Sequence, residues 1–488
     1  MTTNPDSIVE PPRAAGVSPP DHHADGRGIP APADPVVELG GKLAGLSLGR
    51  QVAVLAVWPF MQQVLNWFVT AVDTAVAGRL STEATNAIGV AAYIGWLLGL
   101  LSMAVGAGGG ALIARAVGGR NRGLANAGLG QALLLAVGWG VLVGAVIYTL
   151  AGVIGRAAGL GDESLMLATT YLRILAVAAP MVGVLFVGGM ALSAAGDTRS
   201  PFWVMVGVNG VNVALTLTLV AWGYGVAGIA VGTAIAWCVG AVITLAVLVR
   251  PHGPIRLRRH RLRPHIQTIR RIVRVALPNL VDRFGHWLGN FAVLMIVGYI
   301  AVKDLGGEGA ALQGAHIVAI RIEAISFLPG MAFGVAAATL AGQYLGAGSP
   351  ALARRAVVYC WTVGAGLMTL VGVTFVAVPG LWVRLMTDLP ALLEVSPELV
   401  RMCGWIQVFF GSYLILSEAM RGAGDTRWPM ILSNASTWAV RLPAVFFLGV
   451  WLELGITGVW LGLCAELTVR GVIFTARFLH GGWLKVKV

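Results

Sequence analysis

The feature that most limits how this chain can fold is a succession of about twelve long apolar runs, separated by short polar loops. A helix needs about 20 mostly apolar residues to cross a bilayer. Within hydrocarbon only helices and closed barrels satisfy their own backbone hydrogen bonds, and runs of this length are typical of helices. The sequence therefore predicts an all-α, polytopic membrane protein with twelve transmembrane helices. Their predicted positions are about 50–78, 86–116, 123–152, 164–194, 200–222, 225–250, 270–300, 311–345, 351–378, 394–422, 428–450 and 455–480.

The composition agrees with a membrane protein rather than a soluble one. Charged residues make up 11% of the 488 residues, whereas a soluble domain has about a quarter. The net charge of +12 does not indicate nucleic-acid binding, because the basic residues lie in the short loops between apolar runs. The four cysteines are isolated from one another, so neither a disulfide framework nor a metal site is predicted.

The uneven distribution of basic residues between the two sets of loops predicts the orientation in the membrane. Loops that follow even-numbered helices carry most of the arginines, including the run from Arg250 to Arg274. The other loops carry mainly Asp and Glu. Because cytoplasmic loops are enriched in Lys and Arg, we expect a multi-pass protein of the inner (plasma) membrane with both termini in the cytoplasm.

Two segments outside the apolar runs are distinctive. Residues 1–48 are rich in Pro, Asp and Gly and contain no signal sequence, which predicts a disordered cytoplasmic tail. Residues 251–269 form a basic cytoplasmic linker. Its charges suffice as a determinant of topology, and they also suit the binding of anionic lipid headgroups.

The two halves of the chain match at a constant offset of 228 residues, the separation of Gly196 from Gly424, and Gly-Asp-Thr-Arg begins at each of these glycines. Duplicated bundles that rock about a central site are typical of transporters. The repeat predicts six-helix bundles at 49–250 and 270–482, related by a pseudo-two-fold axis along the membrane normal. At each turn we expect Gly to end one helix and Asp and Thr to cap the next. The same offset pairs Ala87 with Ala315, Met103 with Met331, Gly106 with Gly334, Leu112 with Leu340, Gly118 with Gly346, Arg173 with Arg401 and Pro201 with Pro429.

Four sequence strings resemble the multidrug and toxic compound extrusion (MATE) family, in its bacterial branch. They are FVTAVDTAVAGRLS in the first helix, LPNLVDRFGHWLGN in the seventh, AHIVAIRIEAISFLPGMAFGVAAATLAGQYLGAG in the eighth and SEAMRGAGDTRWP at the end of the tenth. The resemblance covers about residues 50–480. It implies a V-shaped pair of six-helix bundles that exports organic cations or other amphipathic small molecules in exchange for H⁺ or Na⁺. We expect a monomer, because one chain already holds both bundles.

Ionisable side chains inside the predicted helices are the candidates for coupling to a cation. Burying one such side chain in hydrocarbon costs about 2.5–3.5 kcal/mol on insertion scales, so each is expected to have a structural or functional role. In the first half the candidate is Asp73, whose family counterpart is implicated in coupling; the alternative is a helix-end pair with Arg79. Asn212 matches a family asparagine grouped with that aspartate, but Thr216 stands where many members carry an aspartate. A sodium site at Asp73 and Asn212 is thus less supported than a protonated Asp73 bonded to Asn212, while Asn209 and Asn212 also suit helix–helix hydrogen bonding.

The second half carries more charge inside its helices. Asp282, Glu323 and Glu418 are candidate coupling residues, and Asp282 and Glu323 are predicted to pair with Arg441. The alternative for Glu418 is a helix-end pair with Arg421 three residues later. Glu466 and Arg470 have the spacing of a simple intrahelical pair. The apparent excess of acid in the membrane favours a cationic substrate.

Large aromatic and methionine side chains predict a cavity for organic solutes, since aromatic faces hold organic cations and methionine adapts to varied shapes. The alternative for each is lipid contact or bundle packing. The candidates are Trp67, Phe68, Trp287, Phe327, Met331 and Met420.

The nearest alternative function is that of a lipid or polysaccharide-precursor flippase from the same broad superfamily, for which a basic cavity is expected. An enzyme is not predicted, because the sequence shows no nucleophile–base set and no metal-ligand cluster. It also has no phosphate-binding loop, so no ATP-driven step within this chain is expected. No cofactor is predicted beyond the coupling ion, H⁺ or Na⁺.

Overall fold

The computed structural model describes residues 39–77, 81–251, 253–303 and 309–486, and within these ranges the side chains of residues 70–77, 82 and 309–311 lie outside the described set. Among these residues the chain is helical throughout and contains no strand. The described residues form one compact unit.

The first half folds into six long helices joined by short turns. Polar side chains begin some of them: Ser81 Oγ accepts the Ala84 N–H at 3.0 Å, and Asn121 Oδ1 accepts the Leu124 N–H at 2.9 Å. The helices are α1 Leu48–Ala77, α2 Thr82–Gly118, α3 Arg122–Ala157, α4 Asp162–Ala194, α5 Arg199–Ala221 and α6 Gly225–Val249.

The second half repeats this order with more interruptions. Its helices are α7 Ile266–Lys303, α8 Gly309–Gly346, α9 Pro350–Ala377, α10 Pro379–Arg384, α11 Pro390–Trp405, α12 Gln407–Gly422, α13 Arg427–Ala435, α14 Leu442–Phe446 and α15 Gly455–His480. Two π-helical turns, Ser436–Arg441 and Phe447–Trp451, flank α14. Pro443 lies between them, and because it has no N–H it removes one hydrogen bond from the regular pattern.

Eleven of the described helical stretches are long and apolar enough to cross a membrane, and the bent pair α11–α12 makes a twelfth. The predicted fold class, all-α with two six-helix bundles, is therefore confirmed. The span predicted at 394–422 is present as a bent pair, since α11 and α12 meet at 57°. Gln407, fully buried at the break, donates its amide at 3.2 Å to the Cys403 carbonyl, which also accepts the Ile406 N–H, and so stabilises the bend.

The first helix of each half also packs against the other half. The start of α1, with Val52 and Leu55, lies in a buried cluster with residues of α8, α9, α12 and α15. In the same way, α7 packs along α2 and α3. Leu39 and Leu43 are 2% and 1% exposed in the first of these clusters. The folded part thus begins earlier than the predicted tail of residues 1–48 allowed, because these leucines bury apolar surface; the rest of that tail lies outside the described residues.

The pseudo-two-fold axis passes between α2 and α8, at the end of the bundle that carries most arginines, called here the basic end. There Gly118 lies against the backbone of Gln343, and Gly346 lies against the backbone of Arg115. The offset of 228 residues relates one contact to the other, because it carries Gly118 to Gly346 and Arg115 to Gln343. A Cβ atom on either glycine would overlap the opposite backbone, so the close approach of α2 and α8 requires glycine at both positions.

The two Gly-Asp-Thr-Arg turns have nearly the same conformation. Gly196 and Gly424 have φ of 89° and 91°, a left-handed conformation that favours glycine and ends each helix. Asp197 accepts the Ser200 N–H at 3.2 Å and forms a 2.9 Å ion pair with Lys42. In the second turn Asp425 pairs with Arg477 at 2.9 Å. The structural role predicted for these turns therefore includes fastening the two ends of the chain.

The Lys42–Asp197 pair is expected to hold throughout the physiological pH range. Burial raises the pKa of Asp197, but hydrogen bonds from Lys42 and Ser200 and the Lys42 charge together lower it below its ordinary value of 3.8. A lowered pKa stabilises the fold above about pH 4, and the contribution is lost as pH falls further. The melting temperatures of the wild type and Asp197→Asn should thus differ by a constant amount from pH 5 to 8 and converge below about pH 4. A difference that shrinks between pH 7 and 5 would contradict this assignment.

Candidate functional site

A cavity of about 300 Å³ lies between the two halves, above the contact of α2 with α8. It straddles the pseudo-two-fold axis, because several of its lining residues are related by the 228-residue offset. For example, Met103 and Met331 occupy corresponding positions in the two halves, and both line the cavity. The full lining is Pro59, Gln62, Gln63, Asn66, Met103, Ala107, Gly110, Ala111, Ala114, Leu185, Phe186, Gly189, Met190, Leu192, Ser193, Ala194, Thr198, Pro201, Val204, Met205, Thr244, Met331, Val335, Ala338, Thr339, Glu418, Arg421 and Gly422.

The two halves contribute different chemistry to this cavity. Met190 and Ser193 of α4 correspond by the offset to Glu418 and Arg421 of α12, and all four line the cavity. Among the described lining residues, the first half supplies methionines, small residues and the amides of α1, whereas the second half supplies the only two charged side chains. The cavity therefore has an apolar wall and a charged wall, which suits an amphipathic solute.

Hydrogen bonds between the halves close the cavity toward the basic end. Thr339 of α8 donates to the Ser193 carbonyl at 3.1 Å, and Gln343 donates to the Ala194 carbonyl at 2.9 Å. Arg115 of α2 donates to the Ala423 carbonyl at 2.8 Å. We call these contacts, with the glycine contacts of α2 and α8, the basic-end seal. A solute in the cavity cannot reach the basic end while this seal is formed.

The polar residues predicted on α5 are buried and face neighbouring helices. Asn209 donates to Asn66 of α1 at 3.3 Å, and Asn212 donates to Thr233 of α6 at 3.0 Å. Asn212 Oδ1 and Thr216 Oγ1 have no hydrogen-bond partner among the side chains that the structure describes. Asp73 belongs to α1, but its side chain lies outside the described residues. The predicted Asp73–Asn212 pair and a sodium ion there therefore stay predictions.

Four charged side chains of α7 and α12 form a continuous ion-pair chain inside the second half. Arg421 binds Asp282 at 2.6 Å and Glu418 at 2.7 Å, and Glu418 also binds Arg283 at 2.7 Å. Asp282 and Arg421 are each 4% exposed at the side chain, so this pair is screened very little by solvent. The chain leads from the cavity wall, at Glu418 and Arg421, to the buried Asp282.

A second buried network centres on Glu466 of α15. Its carboxylate binds Arg441 at 2.7 Å and Arg470 at 2.5 Å and accepts a hydrogen bond from Ser436. Arg441 also donates to Asn290 of α7 at 2.9 Å. The predicted pairing of Arg441 with Asp282 is therefore wrong, because the π-helical turn Ser436–Arg441 directs that side chain to Glu466. Glu466 and Arg470 do pair as predicted, but within a network that joins three elements.

Glu323 of α8 forms no ion pair among the described residues; its carboxylate lies within hydrogen-bonding reach of the Cys403 thiol, and Arg441 acts on it through space. The interior of the second half thus holds four carboxylates and four guanidinium groups. The predicted excess of acid is not found among these described side chains, because Arg283, Arg421 and Arg470 face inward. The eight are Asp282, Glu323, Glu418, Glu466, Arg283, Arg421, Arg441 and Arg470.

Of the six side chains predicted to line a solute cavity, Met331 does so. Met420 is fully buried in the cluster of α1 with α8, and Trp67 and Phe68 are 37% and 62% exposed and do not belong to the described lining of the cavity. Trp287 stacks on Phe291 and hydrogen-bonds with Tyr93 of α2, while Phe327 contacts Phe410. Sequence reasoning missed Met103, Phe186, Met190 and Met205, although the offset from Met331 pointed to the first of them.

No group of three or more His, Cys, Asp or Glu side chains that could hold a metal ion is found in the described part of the chain. The side chain of Asp73 is not among these described residues.

Comparison with known proteins gives one consistent result. The MatE family profile matches residues 59–218 and 278–447, one segment in each half. The probable multidrug resistance protein NorM of Thermotoga maritima is 28% identical over 89% of this chain and 93% of its own length. The probable multidrug resistance protein YoeA of Bacillus subtilis is 25% identical over 87% and 92%. A solved multidrug resistance MATE family transporter in an outward-facing conformation superposes with a TM-score of 0.82, covering 91% of this chain and 98% of that one, at 20% identity.

Proposed function

The chain belongs to the multidrug and toxic compound extrusion (MATE) family of membrane transporters, and from that premise we propose that it exports amphipathic organic compounds in exchange for a cation. The family comprises transporters and not enzymes, and the chain is a multi-pass membrane protein. We further propose that it resides in the plasma membrane and acts as a monomer, since one chain supplies both walls of the cavity.

The cavity between the halves is the observation that carries this proposal. Its volume of about 300 Å³ is at the lower end for a small-molecule site. The methionines of one wall can adapt to apolar rings of different shape. On the other wall Glu418 is the only carboxylate among the described lining residues, so it is the group that would contact a positive charge on the solute. Such a solute would compete with Arg283 and Arg421 for that carboxylate.

The basic-end seal supports a conformation that is closed toward the cytoplasm. Cytoplasmic loops are enriched in Arg, so the basic end is proposed to face the cytoplasm. The seal then keeps the cavity from the cytoplasm, and the described conformation corresponds to the releasing step. Alternating access requires that these contacts between α2, α4 and α8 break while others form at the opposite end.

Asp73 is proposed as the coupling residue, with the proton as the coupling ion. A carboxylate in a membrane helix can hold a proton or a cationic solute but not both, and this exclusion is what links two fluxes. Asn212 Oδ1 is buried without a partner in the described part of the chain and can accept a hydrogen bond from a protonated carboxyl group. Thr216 supplies only a hydroxyl where a further carboxylate would suit Na⁺ better.

A flippase for lipid-linked precursors is less well supported. Such a substrate carries phosphates and needs a wide, basic cavity. The described lining holds one acid and one base, and the volume of the cavity fits a small molecule rather than a lipid-linked sugar.

The decisive test is transport by the purified protein in liposomes. A fluorescent organic cation is followed under an imposed proton gradient and, separately, under a sodium gradient. We expect uptake to follow the proton gradient, and Asp73→Asn to lower its rate at least about 10-fold, because an amide cannot exchange a proton. Asp388→Asn, which changes an exposed acid in the loop before α11, is the matched control and should transport as the wild type.

Other outcomes are informative. Transport that requires sodium would contradict proton coupling and direct attention to Asp282, Glu323 and Glu418. If no gradient moves the cation while a lipid probe is flipped, the export proposal is wrong.

A further inference from the structure

The segment that joins the two halves carries an unusual density of uncompensated charge. Between Arg250 and Arg274 there are nine arginines and no acidic residue. None of the described side chains in this segment forms an ion pair. Arg258, Arg259 and Arg263 are exposed. Repulsion among so many like charges opposes a fixed conformation, so a fixed conformation here requires specific contacts.

Two side chains of α3 supply those contacts. Asn126 Oδ1 accepts the Arg256 N–H at 2.7 Å. Gln131, 2% exposed, donates to the carbonyls of Arg261 and Arg263 at 2.7 and 2.9 Å and accepts the His265 N–H at 3.0 Å. The amide of Gln131 is thus used entirely to hold the backbone of the segment.

The packing is close as well as hydrogen-bonded. Gly130 faces the backbone of Arg261 so tightly that a Cβ atom would overlap it. Ile255 is 2% exposed in the core of the first half. We call residues 256–274, held in this way, the linker platform. A determinant of topology needs positive charge near the membrane but no fixed backbone, so the charge rule alone does not account for this docking.

Apolar side chains emerge among the arginines of the linker platform. Leu262 is 37% exposed, Ile266 80% and Val273 39%. Exposed aliphatic side chains next to guanidinium groups suit a membrane interface, where the former enter the acyl region and the latter contact phosphates. A soluble anion would give no reason for the exposed Ile266.

We propose that the linker platform is a binding surface for anionic phospholipid headgroups. The guanidinium fork binds phosphate in a bidentate manner. Because Asn126 and Gln131 fix the backbone, several guanidinium groups are presented together to the lipid headgroups. This arrangement lowers the entropy lost on binding. The surface lies on the segment that connects the bundles, so a bound lipid holds this segment to the membrane and to α3 of the first half.

The test uses the full chain in a nonionic detergent, with phosphatidylglycerol added and bound lipid counted by native mass spectrometry. Removing two charges in Arg258→Gln/Arg259→Gln should weaken the apparent affinity on the order of 30-fold, from the usual contribution of a basic side chain at an anionic surface. Phosphatidylcholine should bind both proteins equally.

The matched control is Arg354→Gln/Arg355→Gln, an adjacent exposed pair at the start of α9 with the same change of net charge. It should keep the affinity of the wild type. An equal loss in both double variants would show that net charge alone attracts the lipid and would overturn the proposal. If inorganic phosphate displaces the lipid from the wild type at comparable concentration, the surface binds a soluble anion and the lipid assignment is wrong. Gln131→Met, which keeps every arginine, should also weaken lipid binding, since the backbone that positions the guanidinium groups loses its hydrogen bonds to Gln131.

Discussion

Replacing Glu466 by glutamine should lower the stability of the protein by about 3–5 kcal/mol, the usual cost of breaking a buried ion pair from one side. Glu466 is completely buried and its carboxylate neutralises both Arg441 and Arg470. Glutamine has nearly the same shape, so no cavity forms. It leaves two guanidinium charges with no opposite charge in contact, in a region that water does not reach.

The measurement is the midpoint of thermal unfolding in detergent, followed by tryptophan fluorescence. The matched control is Glu453→Gln, which removes an exposed 2.8 Å pair with Lys303 and should leave the midpoint unchanged, because exposed pairs contribute little. A Glu466→Gln protein as stable as the control would mean that Arg441 and Arg470 find other partners. The double variant Glu466→Gln/Arg441→Met should recover part of the loss, since it removes one of the uncompensated charges.

The helices and the duplication were predictable because both are written as local or periodic patterns. The apolar runs predicted all twelve spans, and the 228-residue offset paired Gly118 with Gly346, which the structure places at the contact of α2 with α8. The break between α11 and α12 was not predictable, because it depends on Gln407 reaching the Cys403 carbonyl inside the fold. Hydropathy alone does not report where a buried side-chain amide will bind a backbone carbonyl at a break in a helix.

The partners of the charged residues were harder to predict than their positions. Glu466 and Arg470 pair along one helix, so their spacing was sufficient. Arg441 reaches Glu466 only because of a π-helical turn, which changes the rotation of each side chain after it. A sequence that identifies a buried acid and a buried arginine therefore predicts a network without predicting which residues pair.

The duplication explains why the two halves perform different roles. By the offset, Asp282, Glu418 and Arg421 correspond to Val54, Met190 and Ser193. The same backbone positions thus carry an ion-pair chain in one half and packing residues in the other. Two walls of different chemistry on one axis give the cavity its amphipathic character without departing from the symmetry of the fold.

Adding one methyl group at the pseudo-two-fold axis should open the basic-end seal. In Gly118→Ala or Gly346→Ala the new Cβ atom meets the backbone of the opposite helix, which cannot move aside as a side chain does. Overpacking of this kind costs about 1–3 kcal/mol, which corresponds to a factor of about 5–150 between the sealed and open arrangements. Alanine is the better helix former, so any loss must come from the contact between α2 and α8 and not from the helix itself.

The seal is best measured by the labelling rate of a cysteine introduced at Thr339, which is 3% exposed beside Ser193. We expect a maleimide to react at least about 10-fold faster in the Gly118→Ala background. Gly99→Ala is the control, since it adds the same methyl to α2 where no atom lies within 4 Å. Equal labelling in both would mean that α2 and α8 separate without cost, and the seal would then have to depend on its hydrogen bonds alone. Faster labelling together with slower export would link opening of this seal to the transport cycle, because a protein that cannot close toward the basic end returns its solute to the side from which it came.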